Sequence, residues 1–362
     1  MNHTRKQRLA GVIWGCAVGD ALGLPAEGIS RTGIARRGWT DNWRHAFIGG
    51  KGMLSDDTEH TLMVAQALSR YPTDVGRFQR SFGWRLRWWL LTLPAGIGMA
   101  TGRALFKLWL GFPPSRSGVF SAGNGPAMRS AIFGVYFADQ PALLDAYVKA
   151  STEITHTDPK ALVGALAVAY CAVGGSDEDL RVKLCNLAKY EGVEWPKLWA
   201  EIEDALQCKV TVAEFADRLG LHDGVSGYTY HTVPVAIYAF ILWRRRENAF
   251  AGMLNDVLNL GGDTDSVAAI AGAMMGAELG EMAIPEAWKR GIVDWPYSAD
   301  YLTETAVKLA DDAPVRQTWP PLHLIRNLFF LTIVLFHALL RCAPFLQRRK
   351  AAKATESNER QF

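Results

Sequence analysis

Two short oxygen-rich clusters are the residues of this chain best suited to chemistry. Asn259-Leu260-Gly261-Gly262-Asp263-Thr264-Asp265-Ser266 sets two carboxylates and two hydroxyls side by side after a glycine pair, and Ser55-Asp56-Asp57-Thr58-Glu59 repeats the pattern far upstream. Each opens a helical pattern. Apolar residues recur at Val267, Ile270, Ala271, Met274 and Met275 after the first, and Leu62, Ala65, Leu68 and Ser69 follow the second at three- and four-residue spacing. The first turn of a helix offers free N–H groups and the positive end of the dipole, which favour acidic side chains. Capping needs only one Ser, Thr or Asp, or a capping box in which Ser55 pairs with Thr58 or Glu59. Crowding mutually repelling carboxylates exceeds that need. Clustered hard oxygens suit Mg²⁺, Mn²⁺ or Ca²⁺. Two such helix starts can converge on a pair of ions about 3.5–4 Å apart that clamps or activates an oxygen nucleophile.

Other elements must position these clusters. Gly11, Gly15, Gly19 and Gly23 fall every four residues, and Gly272, Gly276 and Gly280 repeat the spacing. On helices these make side-chain-free stripes that let backbones approach. They predict a central helix pair, one member ending near Asp20 and the other starting at Asp263. Glu27 follows the first in a loop beside Pro25 and Gly28, close enough to reach a site. Residues 30–52 are irregular. Trp84, Arg85, Arg87, Trp88 and Trp89 interleave aromatics with cations; this suits an amphipathic helix that buries Trp and exposes Arg better than a nucleic-acid stacking surface. The glycine-rich Ser121-Ala122-Gly123-Asn124-Gly125 precedes a helix carrying Arg129 and is a candidate anion loop, although it matches neither nucleotide fingerprint. Thr155-His156-Thr157-Asp158-Pro159 starts another helix, and Gly224–His231 forms a second polar, aromatic loop. Period-two alternation is scarce, so the fold is expected to be all-α. Pro314, Pro320 and Pro321 mark a boundary, giving a body over 1–318 and an apolar helix with a basic tail over 319–362.

With 362 residues, 49% hydrophobic and 21% charged, the chain has ample material for a core. Its net charge of +3 is uneven: six Lys/Arg against two Glu from Arg341 onward leave 33 basic against 34 acidic residues before it. The body therefore gives no global case for nucleic-acid binding. Cys16, Cys171, Cys185, Cys208 and Cys342 lack CxxC spacing and read as reduced, buried thiols of a cytoplasmic protein. Arg5, Lys6 and Arg8 before Leu9–Val18 mimic a signal peptide, but Asp20 and the regular glycines suit a folded helix better.

Taken in order, Gly19-Asp20-Ala21-Leu22-Gly23 with Glu27, Ser55-Asp56-Asp57-Thr58, Gly123-Asn124-Gly125 with Met128-Arg129, Thr155-His156 and Gly261–Ser266 resemble the motifs of the ADP-ribosylglycohydrolases. The resemblance spans roughly Leu9 to Asp312. It implies an orthogonal all-α helical bundle around two Mg²⁺ or Mn²⁺ ions, with Ser55, Asp56, Asp57, Asp263, Asp265 and Ser266 as ligands. Ser55 and Ser266 stand where many members carry Thr; either hydroxyl can ligate a hard cation. The resemblance also implies that Ser121, Gly123, Asn124 and Gly125 contact a diphosphate, and that His156 touches phosphate or ribose. Glu27 resembles the acidic residue beside the scissile ribose. Some relatives hold adenine with an aromatic just before Gly-Asn-Gly; here that position is Ala122, leaving Phe120 as a substitute. The implied activity is metal-dependent hydrolysis of the bond between ADP-ribose and an acceptor, with protein arginine favoured over other N- and O-linked conjugates. Glu27, or one of the ligand carboxylates Asp57 and Asp263, would act as general acid/base. The expected partner is an ADP-ribosylated protein or a small ADP-ribose conjugate.

Two other readings compete for the same residues. A terpene-type synthase binds diphosphate through a DDxxD array, but Asp56-Asp57-Thr58-Glu59-His60 ends in His. A non-catalytic ADP-ribose-binding or structural protein on the same fold would tolerate loss of Asp56, Asp57, Asp263 or Asp265, yet all are present. The tail carries a nearly unbroken apolar run, Leu328–Leu340, whose 13 residues span about 20 Å as a helix, short of the roughly 30 Å hydrocarbon core. Extending it to 322–346 places His323, Arg326, Asn327, His337 and Arg341 in the membrane, and Arg348, Arg349, Lys350 and Lys353 on the disfavoured side. Two arrangements are left: a peripheral helix on the inner face of the membrane, or a helix packed on the body or on a partner subunit.

Overall fold

The computed structural model describes residues 3–40, 42–337 and 339. It is all-α; the paired strands among the described residues are two-residue segments, Ile29–Ser30 antiparallel to Gly261–Gly262. Helices Arg5–Gly23 and Thr264–Leu279 form the predicted central pair and run antiparallel. A Cβ on Gly11 would stand 1.9 Å from the Gly276 carbonyl oxygen, one on Gly15 2.1 Å from that of Gly272, and one on Gly19 2.1 Å from that of Ala268. The backbones therefore touch along the whole stripe, which only glycine permits. Every residue from Leu9 to Gly23 is buried, so the apolar N-terminal stretch is a core helix here. Antiparallel contact sets the last turn of one helix against the first turn of the other, with Thr264 Oγ1 donating to the Gly23 carbonyl at 2.8 Å. Helix Asp56–Leu68 packs on the first member, while Pro159–Val173, Thr229–Trp243 and Ala249–Leu258 pack on the second. One large core joins them.

Two expectations need correction. Of the three tryptophans in helix Val75–Leu91, Trp89 alone is buried; Trp84 and Trp88 are 54% and 41% exposed. The inward stripe is instead filled by Phe78, Phe82 and Leu86, spaced four apart, which leaves Trp84 and Trp88 on the opposite side. Among the cysteines, Cys16 and Cys171 are buried, but Cys185 and Cys208 end polar surface helices and are exposed. Cys342 lies outside the described residues.

The chain leaves the body through the non-helical 313–319 and enters helix Pro320–His337. Its inner face is polar at one end: Arg326 pairs with Asp294 at 2.6 Å and Glu59 at 3.2 Å and donates to the Leu54 carbonyl, while Asn327 donates to Thr92. Further along, Phe330 and Ile333 join Leu24, Phe47 and Met53 in a small separate core. His323, Arg326 and Asn327, which a spanning helix would carry into the membrane, thus face protein. Arg341 and the basic residues beyond it lie outside the described residues.

Candidate functional site

The two acidic helix starts meet. Ser266 Oγ, on helix Thr264–Leu279, donates to Asp57 Oδ2 at 3.2 Å, and Ser55 Oγ donates to the same oxygen at 3.2 Å. Asp20, from the last turn of the first helix, lies beneath this junction. Its carboxylate accepts from the Ser55 amide at 2.9 Å, the Thr58 amide at 3.2 Å and the Thr58 hydroxyl at 2.5 Å. Asp20 therefore caps helix Asp56–Leu68 from outside, a role that its place in a glycine stripe did not reveal. Asp263 sits at the N-cap of its own helix but makes no side-chain cap; it accepts from Asn124 Nδ2 at 2.7 Å.

Short loop pairings hold the surrounding wall. Gly28 N–H donates to the Gly262 carbonyl at 2.8 Å, Asp263 N–H to Val225 at 2.7 Å, and Asn124 N–H to Gly227 at 2.9 Å. Gly262 has φ +84°, and a Cβ there would meet the Val225 carbonyl oxygen at 2.0 Å, so glycine is required where the loops cross. These loops enclose a cleft of about 580 Å³. Glu27, Asp56, Asp263, Asp265 and Ser266 supply its acidic lining, and Ser121, Gly123, Asn124, Gly125 and His156 line it too. Ser55 and Asp57 are buried behind the acidic lining. Val225, Ser226, Gly227 and the stretch Gly98–Thr101 also line the cleft, and sequence reasoning did not single them out as a site. Phe120 is 79% exposed and is not part of the lining.

Burial, then the charges of Asp20, Glu59, Glu27 and Asp263, hold the Asp56 carboxyl well above the usual carboxylate range. Burial and neighbouring carboxylates do the same to Asp57 and Asp265. Burial also raises Asp20, to about 6. Asp57 Oδ1 and Asp265 Oδ1 are buried without a hydrogen-bond partner. Unsatisfied buried carboxylate oxygens are costly, and a hard divalent cation is the group that such a donor set accommodates. No group of three His, Cys, Asp or Glu side chains among the described residues is by itself arranged to hold a metal ion, so hydroxyl donors such as Ser55 and Ser266 matter to that fit.

Burial and then the charge of Arg129 press the His156 imidazole down to about 3, so it is neutral. Its Nδ1 meets Thr155 Oγ1 at 2.9 Å. Arg129 is fully buried and donates to Gly125 O at 3.0 Å, Thr155 Oγ1 at 2.9 Å and Ser151 O at 3.1 Å. It ties the Gly-Asn-Gly loop to the His156 turn.

This fold and this paired acidic cleft define a class. The ADP-ribosylglycohydrolase family model matches residues 1–319, and the chain belongs to that family. It is 33% identical to an uncharacterized protein of Archaeoglobus fulgidus over 314 residues, covering 84% of this chain and 96% of that one. It is 26% identical to the ADP-ribosyl-[dinitrogen reductase] glycohydrolase of Rhodospirillum rubrum, covering 78% and 88%. A solved ADP-ribosylglycohydrolase-related protein complex superposes with a TM-score of 0.60 at 26% identity, covering 85% of this chain and 99% of that one.

Proposed function

We propose that this protein hydrolyses the glycosidic bond between ADP-ribose and an acceptor with the help of divalent cations, and that protein arginine is the favoured acceptor. The observation that carries the reading is the convergence of Asp56, Asp57, Asp263, Asp265, Ser55 and Ser266, with two buried carboxylate oxygens lacking partners. These residues would hold Mg²⁺ or Mn²⁺. Such ions supply Lewis-acid anchoring of ribose hydroxyls and make a nearby water more acidic. The cleft lining includes Glu27, Asp56, Asp263 and Asp265 and contains no Lys or Arg. An anionic diphosphate enters such a cleft only if cations offset those charges, and a cationic guanidinium leaving group suits the same field.

The glycines Gly123 and Gly125 leave their backbone unscreened by any Cβ, and neutral His156 offers a hydrogen bond without repelling or trapping charge. A Cβ on Gly123 would lie 2.8 Å from His156 Nε2, so glycine keeps this approach open. Asn124 ties this loop to the acidic lining through its bond to Asp263. At the anomeric carbon, the bond to the acceptor breaks as water's oxygen bonds to carbon. One water proton passes to a carboxylate and the leaving group receives one, giving free ADP-ribose and the unmodified acceptor. Glu27 lines the cleft on a loop paired to the Gly262 strand, which supports its assignment to that proton transfer.

Defined arginine-, serine- and acetyl-linked ADP-ribose conjugates test the reading directly. Release of ADP-ribose is expected with Mg²⁺ or Mn²⁺, fastest from arginine, and lost in excess EDTA. Asp56→Asn and Asp263→Asn should abolish release while leaving the helical circular-dichroism spectrum intact. Full activity in either variant or in EDTA would sink the metal proposal.

A further inference from the structure

Helix Pro320–His337 turns its apolar side outward. Ile325, Leu328, Phe329, Leu335 and Phe336 are exposed at three-, four- and seven-residue spacing, and Leu339 continues the stripe, while the polar His323, Arg326 and Asn327 are buried. Lone exposed hydrophobics are ordinary; a contiguous stripe marks an interaction surface. A second set of exposed rings flanks the start of this helix. Trp84 and Trp88 line the same groove as Pro320 and His323, and Trp109 packs against Trp88 with ring centroids 6.2 Å apart. Phe106 and Leu110 extend that ridge and are exposed as well.

Charge identifies what covers this face. Residues 75–138 hold eight Lys/Arg and no Asp or Glu, and residues 313–355 hold seven and none. With 15 of the 39 cations and none of the 36 anions in these two tracts, the rest of the chain keeps 24 against 36. Arg129 and Arg326 in these tracts are buried and Arg77 pairs with Asp74 at 3.4 Å, while Arg77, Arg80, Arg103 and Arg116 are exposed on or beside the helices that carry the aromatic ridge. Exposed Trp, Phe and Leu ringed by cations match the depth profile of a bilayer interface, in which rings sit at headgroup level and cations meet anionic lipid. Nucleic acid would use the rings but leave the aliphatic stripe uncovered.

We propose that the outward stripe of helix Pro320–His337 and the Trp84–Trp88–Trp109 ridge together dock on an anionic phospholipid surface, such as the cytoplasmic leaflet, without crossing it. The test uses the full-length protein with phosphatidylcholine vesicles, with and without phosphatidylglycerol. Co-sedimentation is expected with the anionic vesicles, weaker with neutral ones, and reduced at high salt. Phe329→Ser with Phe336→Ser, and separately Trp84→Ser with Trp88→Ser, should each weaken partitioning by roughly tenfold or more, as loss of interfacial ring area requires. These side chains are exposed, so circular dichroism and ADP-ribose release should be unchanged. Arg77→Gln with Arg103→Gln should flatten the salt dependence. Equal recovery from neutral and anionic vesicles, or none from either, overturns the proposal. So does a concentration-dependent dimer that the Phe329/Phe336 variant abolishes, which would make the face a contact between copies. Resistance of the cellular protein to alkaline carbonate would indicate spanning and equally overturn it.

Discussion

Asp263 shows how a residue's duty can be read from what it declines to do. It occupies an N-cap, where a carboxylate ordinarily accepts from its own helix, yet its side chain is bonded to Asn124 instead. Asp20 performs the complementary service by capping helix Asp56–Leu68 from a neighbouring helix, which releases Asp56 and Asp57 from that task. The excess of acids over caps was legible in the sequence because repulsion between adjacent carboxylates needs a cause. Asp20's bonds were not, since they cross between elements. Nor were Val225–Gly227, which loop pairing brings to the cleft, and Gly98–Thr101, at the start of helix Met99–Trp109; their side chains carry no distinctive chemistry. Glu27 is the sharpest test at this scale. Glu27→Gln preserves the size of the side chain and removes the proton-carrying oxygen. It should leave ADP-ribose affinity by calorimetry near wild type and lower turnover by about 10²–10⁴-fold. An unchanged turnover number would remove Glu27 from the chemistry.

The central helix pair was the most legible element, because glycine every fourth residue is expensive in a helix and so implies contact. Helix Val75–Leu91 was the least legible. Trp, Phe and Leu compete for the same inward stripe, and composition alone does not decide which face wins; the Phe78–Phe82–Leu86 row does. Helix Pro320–His337 is a related case: its polar residues could be listed, but their partners Glu59, Asp294 and Thr92 lie far away in sequence. The glycine stripe allows a prediction with an unusual sign. In a free helix Gly15→Ala gains about 1 kcal/mol. Here the new methyl would stand 2.1 Å from the Gly272 carbonyl oxygen, which is backbone and cannot rotate away. Overpacking of this kind typically costs about 1–3 kcal/mol. Denaturant titration of Gly15→Ala should therefore show a lower midpoint than wild type, and a higher one would mean the helices are not in contact.

For the molecule as a whole, burying so many carboxylates beside buried histidines couples stability to pH and to cations. Burial raises Asp20 to about 6 and Glu59 to about 7, and it lifts Asp56, Asp57 and Asp265 well above the usual range. Between the ordinary carboxyl pKa of about 4 and these values the folded state holds more protons than the unfolded one, so stability from these groups is lost as pH rises. Burial presses His156 down to about 3 and His323 to about 4. Their contribution is present above the ordinary imidazole pKa of about 6.5 and is lost as pH falls through the folded values. Above about pH 6.5 the histidines are silent and the carboxylates alone set the slope. A divalent cation bound among Asp56, Asp57, Asp263 and Asp265 favours their ionised forms, so its binding displaces protons and stabilises most where those protons are already gone. In EDTA, the melting temperature should fall between about pH 6.5 and pH 8. Mg²⁺ should raise it more at about pH 8 than at about pH 5.5, and Asp56→Asn should shrink the difference. A Mg²⁺ shift that is absent, or equal at the two pH values, would separate the buried acids from any cation and leave their repulsion uncompensated in the folded protein.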